Sequence, residues 1–511
     1  MKHYNLSTSF AACCLEHSER PALHYADETI SYAELETRAN SLAGLLLLKE
    51  IKTGDVVAIL SEKKVDAYAM MLGCLQIGVT YVNLDTVSPL TRLEKICSTC
   101  KPSLIFADHH SDTLKSITES TGIPSMGPDT MPPENFNISE EVRNSIDGST
   151  IAYIMFTSGS TGMPKGVAVT HQNLLHFISW SRDCYHITSD DNFAQISPLY
   201  FDNSVFDFFS TFFTGASLTP ISRELLTKPK DLVDFISELH CTIWFSVPSL
   251  LVYLLTMKVI TGKNLTDIRI FTFGGEGFPK TELQKLFSMY ASNARLVNVY
   301  GPTECTCICS NWDISSNDFE EMNSLAPLGR LNPNFSCVIL DNAGRPADEG
   351  ELYLLGPNVA AGYYNDPERS ALSFSLCEHN PHLLKPQYAT GDLVRIDKTE
   401  NLHFIGRKDN QIKHMGYRIE LEEIEAALNS LDEVGQAAVV YKRVSNSYGK
   451  IIAYVAPNVE NMKSSFVSDI KKQLTSILPQ YMIPSKIITL TVLPKNANGK
   501  IDRVKLTTQS I

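Results

Sequence analysis

Apolar and polar positions along residues 31–130 switch between two periods. From Ser31-Tyr-Ala-Glu-Leu-Glu onward, apolar residues recur at helical spacing to about Leu48, behind a Ser that can cap a helix. Asp55-Val-Val-Ala-Ile-Leu60 is a continuous apolar run, which predicts a strand buried on both faces. Ala67 to Ile77 predicts a second helix and Ser103-Leu-Ile-Phe-Ala107 a second strand. Strands alternating with helices predict parallel sheets. The same alternation returns at Ile151 and runs to about Tyr300. Residues 325–405 hold shorter strand-like pieces between turns such as Asp341-Asn-Ala-Gly and Asp348-Glu-Gly, a β-rich unit. Beyond it, Leu421 to Leu428 predicts an acidic helix start, and Gln436 to Tyr441 and Lys450 to Val455 predict strands. A boundary is placed at 408/409, giving an N-terminal domain of 1–408 and a C-terminal domain of 409–511.

The 511 residues carry 44 Lys+Arg and 57 Asp+Glu, a net charge of −13. That balance argues against a general nucleic-acid binder, which needs a basic footprint. The charge is unevenly placed: 409–511 carries 13 Lys+Arg against 10 Asp+Glu, leaving −16 on the rest. The N-terminus lacks the apolar core of a signal peptide. The Leu45–Leu48 run is far short of the roughly 20 residues that span a bilayer, so a cytoplasmic location is expected. The twelve Cys are expected as free thiols. Cys97 and Cys100 form a C-x-x-C without a second pair, and a tetrahedral metal site needs four ligands. Cys305, Cys307 and Cys309 alternate, and on a strand all three would face one buried side.

Tyr153-Ile-Met-Phe-Thr-Ser-Gly-Ser-Thr-Gly-Met-Pro-Lys-Gly166 is the strongest local motif. An apolar strand runs into a loop of Ser, Thr and Gly, whose backbone N–H groups and hydroxyls suit an anion. Lys165 adds a point charge. It is not a Walker A loop, because G-x-x-x-x-G-K-[ST] is absent.

This segment resembles the phosphate loop of the adenylate-forming superfamily, which includes acyl-CoA synthetases, luciferases and the adenylation domains of nonribosomal peptide synthetases. The resemblance covers nearly the whole chain. It continues in order through Phe201-Asp-Asn-Ser204, Gly274-Gly-Glu276, Asn298-Val-Tyr-Gly-Pro-Thr-Glu304, Tyr388-Ala-Thr-Gly-Asp392, Gly406-Arg-Lys-Asp-Asn-Gln-Ile-Lys413 and Asn498-Gly-Lys-Ile-Asp502. It implies a large α/β N-terminal domain of two parallel-rich layers plus a β-barrel-like subdomain. A small, mobile α+β C-terminal domain is implied to carry a catalytic lysine, Lys500.

The resemblance places ATP on Thr157, Ser158, Gly159, Ser160, Thr161, Gly162 and Lys165, and on Gly275, Glu276, Asn298, Tyr300 and Gly301. Thr303 would bind phosphate and Glu304 Mg²⁺, a hard cation that prefers carboxylate oxygens. Asp392 would accept the ribose hydroxyls, with Arg407 beside it. Lys500 would bridge the substrate carboxylate and the α-phosphate. Asp409 matches the hinge, and Gly416 the point where a pantetheine arm enters.

The resemblance implies an α-amino acid, because adenylation domains for such substrates place an Asp at the position of Asp202 to hold the ammonium, and it places Phe201 as an aromatic gate near the substrate carboxylate. The implied pocket is Asp202, Asn203, Phe206, Ser246, Thr272, Gly274, Val299, Cys307, Ile308 and Lys500. Apart from Asp202 and Lys500 it is uncharged, and Phe206, Val299 and Ile308 are bulky, which favours a small neutral amino acid. Residues 243–250 and 406–427 resemble stand-alone D-alanine–carrier protein ligases, from which Gly274 departs. Stand-alone glycine–carrier protein ligases of lipid A modification, linked to polymyxin resistance, are the alternative. The expected reaction forms aminoacyl-AMP and passes it to the phosphopantetheine thiol of a separate carrier protein. Rival readings are an acyl- or aryl-CoA ligase using coenzyme A, a larger amino acid for peptide synthesis, and a silent AMP-binding scaffold.

Overall fold

The computed structural model describes residues 3–133, 136–377, 385–444, 449–458, 465–496 and 501–508. Lys500, Asn498 and Gly499 lie outside them. Two parallel-rich sheets of nine and seven strands form the bulk of the molecule. In the first, Ile243–Ser246, Ile270–Gly274 and Arg295–Tyr300 run side by side in parallel. In the second, Val56–Leu60 lies between Thr80–Leu84 and Leu104–Ala107, all parallel.

The helices Val65–Gln76 and Asn203–Phe212 are buried over nearly their whole lengths. Their apolar residues join one core cluster with Val57, Ile59 and Tyr153 of one sheet and Phe193, Ile243 and Phe245 of the other. Helices apolar all round have no solvent face to keep, so they are sandwiched. The capped helix runs Tyr32–Leu48, with Ser31 and Glu34 completing a capping box. No helix among the described residues is long and apolar enough to cross a membrane.

The β-rich unit is a five-stranded antiparallel sheet. In it, Pro386–Ile396 pairs with Leu402–Arg407 and sets Asp392 opposite Arg407. Beyond Arg407 the chain forms a hairpin, Gln411–His414 with Tyr417–Glu420, and then a three-stranded sheet under the helices Leu421–Asn429 and Phe466–Thr475. That portion has its own core, from Ile419 through Leu428, Val439 and Ala453 to Ile487.

The three alternating cysteines do not share a strand face. Thr303–Cys305 is a turn of 3₁₀ helix, and Thr306 and Cys307 take φ of 58° and 72°. Left-handed residues break the period of two, so the buried thiols separate. Cys305 and Cys309 enter the core beside the five-stranded sheet, and Cys307 enters the one between the large sheets. The twelve thiols are free.

Candidate active site

A cavity of about 520 Å³ opens where the large sheets, the five-stranded sheet and the C-terminal hairpin meet. The site lies at the carboxyl ends of parallel strands, the usual place for a crevice in an open α/β sheet. Lining residues anticipated from the sequence include Thr157, Ser158, Phe201, Asp202, Asn203, Ser246, Gly275, Val299, Tyr300, Gly301, Thr303, Cys307, Asp392, Arg407 and Gly416. Phe206, Thr272, Gly274 and Ile308 stand behind that lining. Phe206 is fully buried against Tyr185, Phe193 and Phe245, with ring centroids 4.9–5.6 Å apart. Gly274 pairs with Val299 in the neighbouring strand, and a Cβ at Gly274 would lie 2.5 Å from the Val299 carbonyl oxygen, so Val299 lines the cavity where Gly274 does not.

Asp202 opens onto the cavity, and its Oδ2 accepts the Thr303 hydroxyl at 2.6 Å. Among the described residues it has no ion-pair partner within 4 Å. Desolvation raises its pKa, and the Thr303 hydrogen bond with the nearby Arg418 and Lys413 charges offsets that only in part.

Glu304 is wholly buried and strongly held. Its oxygens accept Tyr363 Oη–H at 2.8 Å and Arg418 Nη1–H at 2.7 Å, and Lys165 Nζ stands 3.4 Å away. Burial alone would raise its pKa, but Arg418 and then Lys165 outweigh it and hold the carboxyl well below the usual range. Glu304→Gln leaves those cations without their shared anion and should cost about 3–5 kcal/mol, read as a lower urea midpoint. Because the folded pKa is depressed, that stability is present above the unfolded value of about 4.3 and is lost as pH falls below it. The gap between wild type and variant should therefore shrink in acid.

Asp392 is buried and occupied at both oxygens, by Tyr300 Oη–H at 2.6 Å and Arg407 Nη1–H at 2.8 Å. Asp409 accepts Arg407 Nε–H at 2.9 Å, next to Gly391. The remaining phosphate-loop residues lie outside the cavity lining, under the C-terminal portion or beside Arg369, which bonds Thr161. Glu276 accepts the N–H of Ser249 and of Gly416, and Asn298 bonds the Pro327 carbonyl. Ser160 is exposed.

Three cations line the cavity without having been singled out from the sequence: Arg92, Lys413 and Arg418. Lys413 and Arg418 are direct partners in the hairpin and reach the cavity together. Lys413 Nζ stands 5.7 Å from the Tyr300 ring centre, and burial lowers its pKa. The signal was available: the turn at Met415-Gly416 places two like charges opposite one another, a pair that needs anions nearby. Among the described residues, no group of three or more His, Cys, Asp or Glu could cage a metal. Magnesium does not require one, since it takes one or two carboxylates and completes its shell with phosphate and water. Glu304 is of the right type, but here its oxygens are taken by Tyr363 and Arg418 with Lys165 3.4 Å away, so it could hold magnesium only once Arg418 has withdrawn.

Sequence comparison matches residues 10–364 to the AMP-binding enzymes and 423–500 to the C-terminal domain of AMP-binding enzymes. The L-proline–[L-prolyl-carrier protein] ligase of Pseudomonas fluorescens is 33% identical over 503 residues, covering 94% of each chain. A D-alanine–D-alanyl carrier protein ligase of Bacillus cereus is 29% identical over 500 residues, covering 96% of this chain and 97% of that one. Longer relatives also match, and the chain spans only 8–20% of their lengths. The fold matches the adenylation domain AlmE of Vibrio cholerae, solved with glycyl-adenosine-5'-phosphate. The TM-score is 0.82 at 24% identity, over 100% of this chain and 99% of that one.

Proposed function

The chain belongs to the AMP-binding enzymes, and from that premise we propose that it activates a small neutral amino acid, glycine or alanine, as aminoacyl-AMP. It then passes the aminoacyl group to the phosphopantetheine thiol of a separate carrier protein. Enzymes of this family use ATP with Mg²⁺. The observation that carries the reading is Asp202: a carboxylate open to the cavity, bonded to Thr303 and without an ion pair among the described residues. A charge in that position gains most from a substrate cation, and an α-ammonium supplies one. The relatives that act on proline and D-alanine with carrier proteins support the same class.

Size follows from the lining. Val299 lines the cavity where Gly274 does not, and Phe206 is fully buried behind it. In this reading the phosphate loop and Lys165 bind the ATP phosphates, Asp392 and Arg407 the ribose, and Phe201 the substrate carboxylate region. Glu304 would hold the magnesium, which when bound neutralises phosphate charge. Lys500 serves adenylation, and the segment beyond Asp409 turns to bring Gly416 to the cavity for transfer.

Amino-acid-dependent ATP–pyrophosphate exchange tests the reading. Exchange concentrated on glycine or one alanine supports it. A larger preferred residue overturns the pocket argument, and no exchange with any amino acid overturns the role of Asp202. Transfer to coenzyme A in place of a carrier would change the acceptor. Val299→Ala should raise the relative kcat/KM for substrates one or two methylenes longer by about 10–100-fold. An unchanged substrate profile would mean that Val299 does not limit size.

A further inference from the structure

Arg92 and Glu423 are 7% and 2% exposed and come from opposite ends of the chain. Arg92 Nη1 donates to Glu423 Oε1 at 2.6 Å. The other oxygen, Oε2, accepts the N–H of Gly159 in the phosphate loop at 3.1 Å. One carboxylate therefore fills a seat built from a guanidinium and a loop N–H. Beside it, Glu420 Oε1 stands 3.8 Å from Lys165 Nζ, and the Ser158 hydroxyl is taken by the Arg418 carbonyl and the Glu420 N–H. The C-terminal portion thus sets carboxylates on the very donors that suit phosphate.

Arg92 sits on the helix Leu90–Cys100, which Leu93, Ile96, Cys97 and Cys100 anchor in the core of the seven-stranded sheet. It stays with the loop when Glu423 leaves. When Glu423 leaves, the Arg92 guanidinium loses its anion and faces the cavity, a position that favours a second anion. A planar guanidinium and a backbone N–H match phosphate oxygens as well as they match a carboxylate.

We propose that Arg92 and the Gly159 N–H form a binding seat for the pyrophosphate portion of ATP, occupied by phosphate during adenylation and by Glu423 in the arrangement described above. The proposal rests on the adenylation reading and adds a ligand that no motif marks. Arg92 lies 67 residues before Gly159, in a plain helix start, Pro89-Leu-Thr-Arg92. One seat with two occupants also makes pyrophosphate binding and C-terminal docking mutually exclusive.

The test is equilibrium binding of inorganic pyrophosphate to the full chain, by calorimetry without ATP or amino acid. Arg92→Gln should weaken binding about tenfold, one charge-assisted contact. Arg92→Lys, which keeps the charge but loses the fork, should fall between. Glu423→Gln should bind severalfold tighter, because the competing anion is gone. If Arg92 served only to hold Glu423, removing it would free the loop, and Arg92→Gln would bind as tightly as wild type or tighter. That result overturns the proposal, as does unchanged affinity in Glu423→Gln, which stands even if Arg92→Gln fails to fold. Exchange activity of the wild type separates the two levels. No exchange with any amino acid removes the adenylation reading itself, whereas normal exchange with equal pyrophosphate affinity in Arg92→Gln removes only this seat.

Discussion

Lys500→Ala should lower aminoacyl-AMP formation on the order of 10³-fold and leave transfer from preformed adenylate near wild type. The split expected from the proposed reading concerns the described segments on either side of residues 497–500. Lys495 bridges Ile501, and Ile501 and Leu493 pack with Leu506 on Val440, Ile452 and Tyr454 of the three-stranded sheet. The opposite face of that sheet packs with Ile419, Leu421 and Ile424, next to the hairpin that reaches the cavity. In the proposed reading, the two faces of this C-terminal portion would serve the two half-reactions.

Gly416→Ala should show the reverse pattern. Gly416 has φ of 81°, and a Cβ there would lie 2.5 Å from a Val247 methyl. The strain belongs to the hairpin turn itself and the Val247 clash only to the docked arrangement, so transfer should fall about tenfold or more while adenylation is affected less. Assaying the half-reactions separately checks both variants. Equal losses in both halves from either variant would break the two-sided account.

Asp202→Asn should lose activity and gain stability. Replacing the charge that receives the ammonium should cost on the order of 10²–10³-fold in amino-acid kcat/KM. Stability moves the other way because desolvation raises the folded pKa. A raised carboxyl favours folding below its unfolded pKa, and that contribution is lost as pH rises through the folded value. At neutral pH the ionised group is therefore a burden, and asparagine, which can still accept from Thr303, removes it. The variant should melt above wild type at pH 7, and the difference should vanish in acid. In wild type, kcat/KM for the amino acid should fall as pH drops through the raised Asp202 pKa. A variant with normal kcat/KM would mean that the ammonium binds elsewhere.

Local rules made much of the scaffold legible. The helix from Tyr32 to Leu48 follows from its capping box and apolar period, and the strand Val56–Leu60 from an unbroken β-branched and aliphatic run. The acidic helix start at Leu421 and the strands around Ala438 and Ala453 were legible in the same way. The loop motifs could be read because their chemistry is carried by neighbours in sequence: Thr157 to Lys165 needs no distant partner to be recognised as an anion loop. The cysteine pattern misled, because two left-handed residues at Thr306 and Cys307 cancel the period that the spacing implied.

By itself, then, the sequence determined many of the helices and strands, the Ser/Thr/Gly loop that follows a buried strand, and the residue types available to the site. Tertiary structure alone decided which charges meet. Glu304 is held by Tyr363 and Arg418, and Glu423 by Arg92 and Gly159, across separations of 59 to 331 residues. It also decided that Val299, rather than the bulkier Phe206, lines the cavity. The physical reason is range. Hydrogen bonds and apolar periods that shape a helix act over a few residues. A buried charge is stabilised only by whichever partner the packed fold brings within contact distance, and no local pattern encodes that.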